Sequence, residues 1–137
     1  MLRRELLQIP AAFFFAPADR RLLEELTETI IPADAHSGGA KAAGVAAYID
    51  GVLAATLDDE LRRIWREGLA LIDGKAFLAA SPTKRVEIVQ GLTVKAPKFF
   101  AELKRLTVAG YYTSRIGIFD ELEYKGNRVR DNFTGCD

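Results

Sequence analysis

The stretch FFAELKRLTVAGYYTSRIG, residues 99–117, has the densest aromatic and apolar content of the chain beyond its N-terminal segment. If this stretch is helical, residues at spacings of three and four share one face. A continuous apolar face of this length is typical of a buried helix, so we predict the central helix of the fold here. The residues on this face are Phe99, Leu103, Leu106, Gly110 and Tyr111.

Two glycines in the same stretch carry structural expectations. A glycine inside a helix costs roughly 1 kcal/mol relative to alanine, and this cost is usually offset where another backbone approaches closely. We therefore predict that a second helix crosses at Gly110, beside the small residues Thr107 and Ser114. Gly117 follows Ile116 at a position where a helix C-terminus favours positive φ, so we predict that the helix ends there.

The central helix also contains a pair of adjacent tyrosines, Tyr111 and Tyr112. Neighbouring side chains on a helix point about 100° apart, so the two rings are not both expected in the core. One interpretation makes these side chains part of a packed interior without chemistry. The other lets one of them contact a partner protein.

The composition limits the class of protein. The chain has 137 residues, of which 49% are hydrophobic, and this fits one domain with a substantial core. Its 19 basic and 19 acidic side chains give zero formal net charge, which argues against a nucleic-acid or anionic-membrane binder. One cysteine excludes an internal disulfide, and one histidine excludes a multi-histidine metal site. No apolar run approaches the ~20 residues of a membrane span.

The N-terminal sequence MLRRELLQIPAAFFFAPA resembles an export signal. Arg3 and Arg4, followed by two leucines, are similar to the twin-arginine motif. Residues 9–16 form a short apolar stretch, and the Ala-Pro-Ala sequence at residues 16–18 has the small-x-small form of a cleavage site.

These features divide the chain into two parts. We predict a short twin-arginine signal segment over residues 1–16 and a single helical domain over residues 17–137. An ordinary amphipathic N-terminal helix is the alternative for the first segment. Pro17 also suits the first position of a helix, which would place residues 16–18 in the mature domain.

The rest of the sequence favours helices, and no stretch shows the alternation typical of a strand. We predict an all-α fold, a single compact bundle of about five to six helices with an irregular C-terminal tail over residues 126–137. The predicted helices run from Pro17 to about Ile31, from Val45 to Ala55, after Thr56 as N-cap, from Ser81 as N-cap to about Leu92, and from Pro97 onward.

Hydrophobic spacing assigns a buried side and a wet side to these helices. In the first helix, Glu24, Glu25 and Glu28 fall on the wet side, opposite the leucines. The helix before Pro97 has three expected buried positions. These are Val86, Val89 and Leu92.

No constellation of catalytic or ligand-binding residues stands out. The chain has no glycine-rich phosphate loop, no Gly-x-Ser-x-Gly and no second cysteine for zinc or iron–sulfur. Its one histidine, His36, lies in a loop of small residues, where histidine is usually a solvated surface residue and not a ligand. Nothing in the sequence brings the acids Asp34, Asp50 and Glu121 together. We therefore predict no catalytic, cofactor-binding or metal-binding residue in this chain.

Three segments resemble a known family: residues 26–34, LTETIIPAD; residues 39–50, GAKAAGVAAYID; and residues 99–117, which contain GYYTS. A Gly126-Asn127 turn and a terminal Gly135-Cys136 follow. In this order they resemble the small subunit (subunit 3, or gamma) of the membrane-bound gluconate 2-dehydrogenase family, which is related to the small subunits of fructose and FAD-dependent glucose dehydrogenases. The resemblance covers nearly the whole chain after Pro17.

The resemblance implies a non-catalytic small subunit of a periplasmic, membrane-associated sugar or polyol dehydrogenase. Such a subunit binds a large FAD-dependent flavoprotein of the GMC type and carries the twin-arginine signal that exports the pair. A cytochrome c subunit with haem often completes the complex, and the small chain itself holds no cofactor. The location would be cytoplasmic if Arg3 and Arg4 do not form a working signal. The alternative is a stand-alone helical binding module or enzyme of unknown ligand.

A partner surface is expected at the end of the central helix and in the tail. A leftover cysteine in an exported protein suggests an intermolecular disulfide, here with the flavoprotein, and a buried thiol is the alternative. The expected interface residues are Tyr111, Tyr112, Phe119, Phe133 and Cys136.

Overall fold

Within residues 13–118, which the computed structural model describes, the chain forms six helices and no strand. The predicted all-α bundle is therefore confirmed for this part of the chain. The predicted irregular tail lies outside the described residues. The helices are α1 Pro17–Ile30, α2 Val45–Ala55, α3 Asp59–Ala70, α4 Gly74–Ala79, α5 Pro82–Lys95 and α6 Pro97–Tyr112.

Proline and serine set several helix starts, as predicted. Pro17, Pro82 and Pro97 each occupy the first turn of a helix, where the missing N–H would have had no helical partner. The Ser81 hydroxyl caps α5 by accepting the N–H of Lys84 at 3.2 Å. These starts depend only on local residue chemistry, which is why the sequence predicts them well.

The start of α3 differs from the prediction. Asp58, and not Thr56, is the N-cap, because its carboxylate accepts the N–H of Leu61 at 3.0 Å. Thr56 instead follows the last residue of α2, and its hydroxyl accepts the N–H of Asp58 at 3.1 Å. Asp73 caps α4 in the same way as Asp58 caps α3, so the region around Gly74 is a new helix start.

The last helix is the central one, as predicted, since α6 packs against α1, α2, α3 and α5. All five residues of its predicted apolar face are buried. In α5, the prediction is confirmed for Val89 and Leu92 and wrong for Val86, whose side chain is 41% exposed. Arg85 takes the inward position beside it, where its guanidinium donates to the carbonyl oxygen of Phe77 at 3.0 Å.

A row of aromatic side chains closes the core between α3, α6 and the residues before α1. Trp65 is fully buried, and its ring meets Phe15 and Phe99 at centroid distances of 6.1 and 5.2 Å, both at steep angles. Gly68 makes room for Phe99, because a β-carbon added there would lie 2.1 Å from Cγ of that ring. Edge-to-face pairs of this kind contribute about 0.5–1.5 kcal/mol each beyond their burial.

The predicted crossing at Gly110 is a side-chain contact. The group that approaches this glycine is the ring of Tyr48 in α2, and not the backbone of another helix. A β-carbon added at Gly110 would lie 2.7 Å from Cδ2 of Tyr48. An aromatic ring approaches a helix glycine more closely at Gly68, where an added β-carbon would lie 2.1 Å from the Phe99 ring, than at Gly110.

The expectation for Gly117 is wrong. In the described chain positive φ occurs at Gly44 (74°), and α6 ends at Tyr112, before Gly117 is reached. Gly117 lies in the next helical turn and packs against the backbone of Tyr111. A β-carbon added at Gly117 would lie 1.9 Å from the Tyr111 carbonyl oxygen, so the glycine serves close approach.

We expect Gly68→Ala to destabilise the protein by about 1–3 kcal/mol, because the added methyl group overlaps the Phe99 ring. Gly91→Ala in α5 is the matched control, since a β-carbon there meets nothing within 4 Å. Gly91→Ala is expected to raise the free energy of unfolding by about 0.4–1 kcal/mol, because alanine leaves the unfolded chain fewer conformations than glycine does. Chemical denaturation of both variants measures the difference, and equal stabilities would contradict this account of the α3–α6 contact.

Candidate functional site

The loop between α1 and α2, residues 31–44, is folded back on itself and held by Glu28. This carboxylate accepts the N–H of Ala33 through Oε2 and the N–H of Lys41 through Oε1, each at 2.9 Å. Gly39 lies at the narrowest point, where an added β-carbon would be 2.5 Å from the Ala33 nitrogen. The two ends of this α1–α2 loop therefore lie side by side.

The tip of the α1–α2 loop is ordered by a second carboxylate. Asp34 accepts the N–H groups of His36 and Ser37 through one oxygen, at 2.8 and 2.9 Å. These two backbone donors, Ser37 first, lower the pKa of Asp34 below its ordinary value. The carboxylate thus stabilises a turn, and His36 is exposed at that turn.

The central helix reaches the same loop through Tyr111. Its side chain is 1% exposed, and its hydroxyl donates to the carbonyl oxygen of Gly38 at 2.7 Å and lies 3.3 Å from Oγ of Ser37. Tyr111 therefore joins α6 to the loop tip.

A third carboxylate connects the loop to α5. Glu25 accepts hydrogen bonds from the Lys41 ammonium and, at 2.8 Å, from the Arg85 guanidinium. The hydrogen bond from Lys41 is the main cause that lowers the pKa of Glu25. The positive charge of Lys41 and the hydrogen bond and charge of Arg85 lower it further. On the predicted wet side of α1, Glu25 has a side chain that is only 16% exposed, and Glu28 is partly exposed while it binds the loop. No sequence signal identifies these roles, because glutamates on the polar side of a helix are ordinarily solvated.

The structure separates the two predicted interface tyrosines. Tyr111 is buried, and its hydroxyl donates to the Gly38 carbonyl oxygen. The side chain therefore supports the loop and does not form part of a surface. Tyr112 is 38% exposed, with its ring edge-on to Tyr111 at 5.0 Å. The other predicted residues lie outside the described part of the chain. These are the interface residues Phe119, Phe133 and Cys136 and the export residues Arg3 and Arg4.

The acids that the sequence singled out are not brought together. Asp34 is exposed in the loop, whereas Asp50 is 2% exposed and accepts the N–H groups of Phe14 and Phe15. Glu121 lies outside the described residues. Residues 13–118 contain no group of three or more His, Cys, Asp or Glu side chains arranged to bind a metal ion. In the same range, no helix is long and apolar enough to cross a membrane.

The fold and the site define a small helical domain organised around a loop that it holds with its own side chains. The three segments that carry the resemblance meet at this loop, through Glu28 and Asp34, Gly39, and Tyr111 respectively. The family model for gluconate 2-dehydrogenase subunit 3 matches residues 17–128, and the chain belongs to this family. Searches of curated proteins and of solved structures give no match.

We expect Tyr111→Phe to destabilise the protein by about 0.5–1.5 kcal/mol, because the Gly38 carbonyl loses its donor. Amide hydrogen exchange should become faster in the α1–α2 loop, while exchange in α3 stays unchanged. Tyr112→Phe removes a hydroxyl from a half-exposed ring on the same helix and serves as the control. Unchanged exchange in the loop of the Tyr111→Phe variant would contradict the proposed attachment.

Proposed function

We propose that the chain is the non-catalytic small subunit of a periplasmic, membrane-associated FAD-dependent dehydrogenase complex that oxidises a sugar or polyol. The observation that carries this proposal is membership of the gluconate 2-dehydrogenase subunit 3 family over residues 17–128. By its name, that family supplies one subunit of a dehydrogenase. In this proposal FAD lies in a large flavoprotein partner of the GMC type, haem lies in a cytochrome c subunit, and this chain stabilises and helps to export the flavoprotein.

We place the partner surface on the outer side of α6. Val108 and Tyr112 are one turn apart and are each 38% exposed, although the opposite face of the same helix is buried. Aromatic residues are enriched in the centres of protein interfaces, and a half-exposed tyrosine beside a valine fits such a centre. The other predicted interface residues, which are Phe119 and, in the tail, Phe133 and Cys136, follow α6 in sequence.

One observation favours the alternative of a stand-alone binding module. A cleft of about 390 Å³ lies where the end of α3 meets the turn between α5 and α6. Its size is within the range of small-molecule sites. The apolar part of its lining comes from Ile64, Gly68, Leu71, Ala96, Pro97 and Phe99.

If the neighbouring reading frame encodes a GMC-type flavoprotein, its co-expression with this chain should yield a complex that co-purifies with FAD absorbance. Tyr112→Glu should weaken this complex by roughly tenfold or more, because it places a charge in the proposed centre of the interface. Val86→Glu is the matched control, since Val86 is similarly exposed, at 41%, but lies on α5. A chain that purifies as a stable monomer, binds no flavoprotein and holds a small ligand would support the stand-alone module instead.

The same preparation tests export and the proposed disulfide. Replacing Arg3 and Arg4 by lysine should retain both chains in the cytoplasm, and unaltered fractionation would contradict export through this segment.

Non-reducing electrophoresis should show a band at the summed mass of the two chains that disappears in Cys136→Ser. Separate bands in material never exposed to reductant would leave Cys136 as a thiol.

A further inference from the structure

A buried carboxylate on α2 binds the segment that precedes α1. Asp50 accepts the N–H groups of Phe14 and Phe15 through Oδ1, both at 2.8 Å, and its Oδ2 lies 3.3 Å from Nη1 of Arg20. The Asp50 residue is 2% exposed. Taking a carboxylate out of water is costly unless donors satisfy it, and here the two backbone N–H groups before α1 and the Arg20 guanidinium are those donors.

The side chains of the same segment close one side of the core. We call residues 13–15 the N-terminal strap. Phe15 is 8% exposed and packs against Trp65, and the ring of Phe14 lies edge-on to Phe15 at 4.8 Å. The Arg66 guanidinium covers Phe14 at 4.2 Å from the ring centroid, a cation–π distance. Phe13 is 58% exposed, so burial of the strap increases towards α1.

The small-x-small sequence at residues 16–18 follows the strap directly and forms the N-cap and the first two residues of α1. Pro17 is the first residue of that helix, and the carbonyl oxygen of Ala16 accepts the N–H of Arg20 at 2.9 Å. Proteolytic cleavage concentrates in exposed termini and loop tips, whereas Ala18 lies in the first helical turn. A cut after Ala18 would separate the strap from α1 and remove both backbone donors from Asp50.

We infer that the N-terminal strap is a permanent part of the folded protein and that proteolytic processing of this chain cuts before Phe13. Asp50 is the anchor of the strap, because it accepts hydrogen bonds from the backbone amides of Phe14 and Phe15. These bonds do not depend on the side chains of the strap. The sequence at residues 16–18 is then a helix start and not a processing site. The attachment of the strap requires neither a partner nor FAD, and only the statement on processing rests on the proposed export.

Limited digestion of the full-length chain with chymotrypsin tests the anchor, because this protease cuts after large aromatic residues. In the wild-type protein the bond after Phe15 should be protected. Asp50→Ala should accelerate cleavage at that bond by roughly tenfold or more, as the released strap becomes accessible. Asp59→Ala removes a carboxylate whose side chain is 94% exposed and should leave the digestion pattern unchanged.

The mass of the wild-type protein recovered from an exporting host provides a second measurement that needs no variant. A chain beginning at or before Phe13 supports the inference, and a folded chain beginning at Asp19 overturns it. Equal cleavage after Phe15 in the wild type and in Asp50→Ala also overturns it. Asp50→Asn keeps an acceptor oxygen and replaces Asp50→Ala if that variant does not fold, with a smaller acceleration expected.

Discussion

The bundle depends on the contact between the rings of Trp65 and Phe99. This contact is possible because Gly68 has no side chain, which leaves room for the Phe99 ring. Trp65 is fully buried although its indole N–H has no hydrogen-bond partner among the described residues. An unsatisfied buried donor costs about 1–3 kcal/mol. Burying an aromatic side chain of this size contributes about 4–6 kcal/mol at 25 cal/mol per Å². Apolar packing is therefore the larger effect at this site, and it holds α3 against the central helix.

The second constraint is the supply of hydrogen-bond partners to a loop that has no regular structure. Backbone N–H and C=O groups brought together by the fold of the α1–α2 loop need partners, and side chains from α1, from the loop itself and from α6 supply them. Glu28 and Asp34 accept from loop N–H groups, and Tyr111 donates to a loop carbonyl oxygen. The segments that resemble the gluconate 2-dehydrogenase subunit 3 family thus contain residues whose visible task is to shape this loop.

This dependence on backbone partners explains what could be predicted from the sequence. The starts at Ser81 and Pro97 and the apolar face of α6 follow from local chemistry and spacing, and they agree with the structure. The roles of Glu28 and Asp50 could not be predicted, because their partners are N–H groups, which every residue except proline carries. The sequence also did not determine that Tyr112, and not Tyr111, is the exposed tyrosine of the pair. Spacing shows that two adjacent tyrosines diverge, but only the packed neighbours decide which of them is buried.

Three acids of this chain use their carboxylate oxygens for bonds within the fold, and these bonds limit what the acids can do chemically. A general base needs an acceptor site that is within reach of a substrate proton. Asp50 uses one oxygen for two amides and the other for a guanidinium, beneath the N-terminal strap. Glu28 uses both oxygens for loop amides, and Glu25 uses both for cations of its own chain. Each of these three carboxylates therefore binds groups of the described chain through both of its oxygens and joins two segments of the fold.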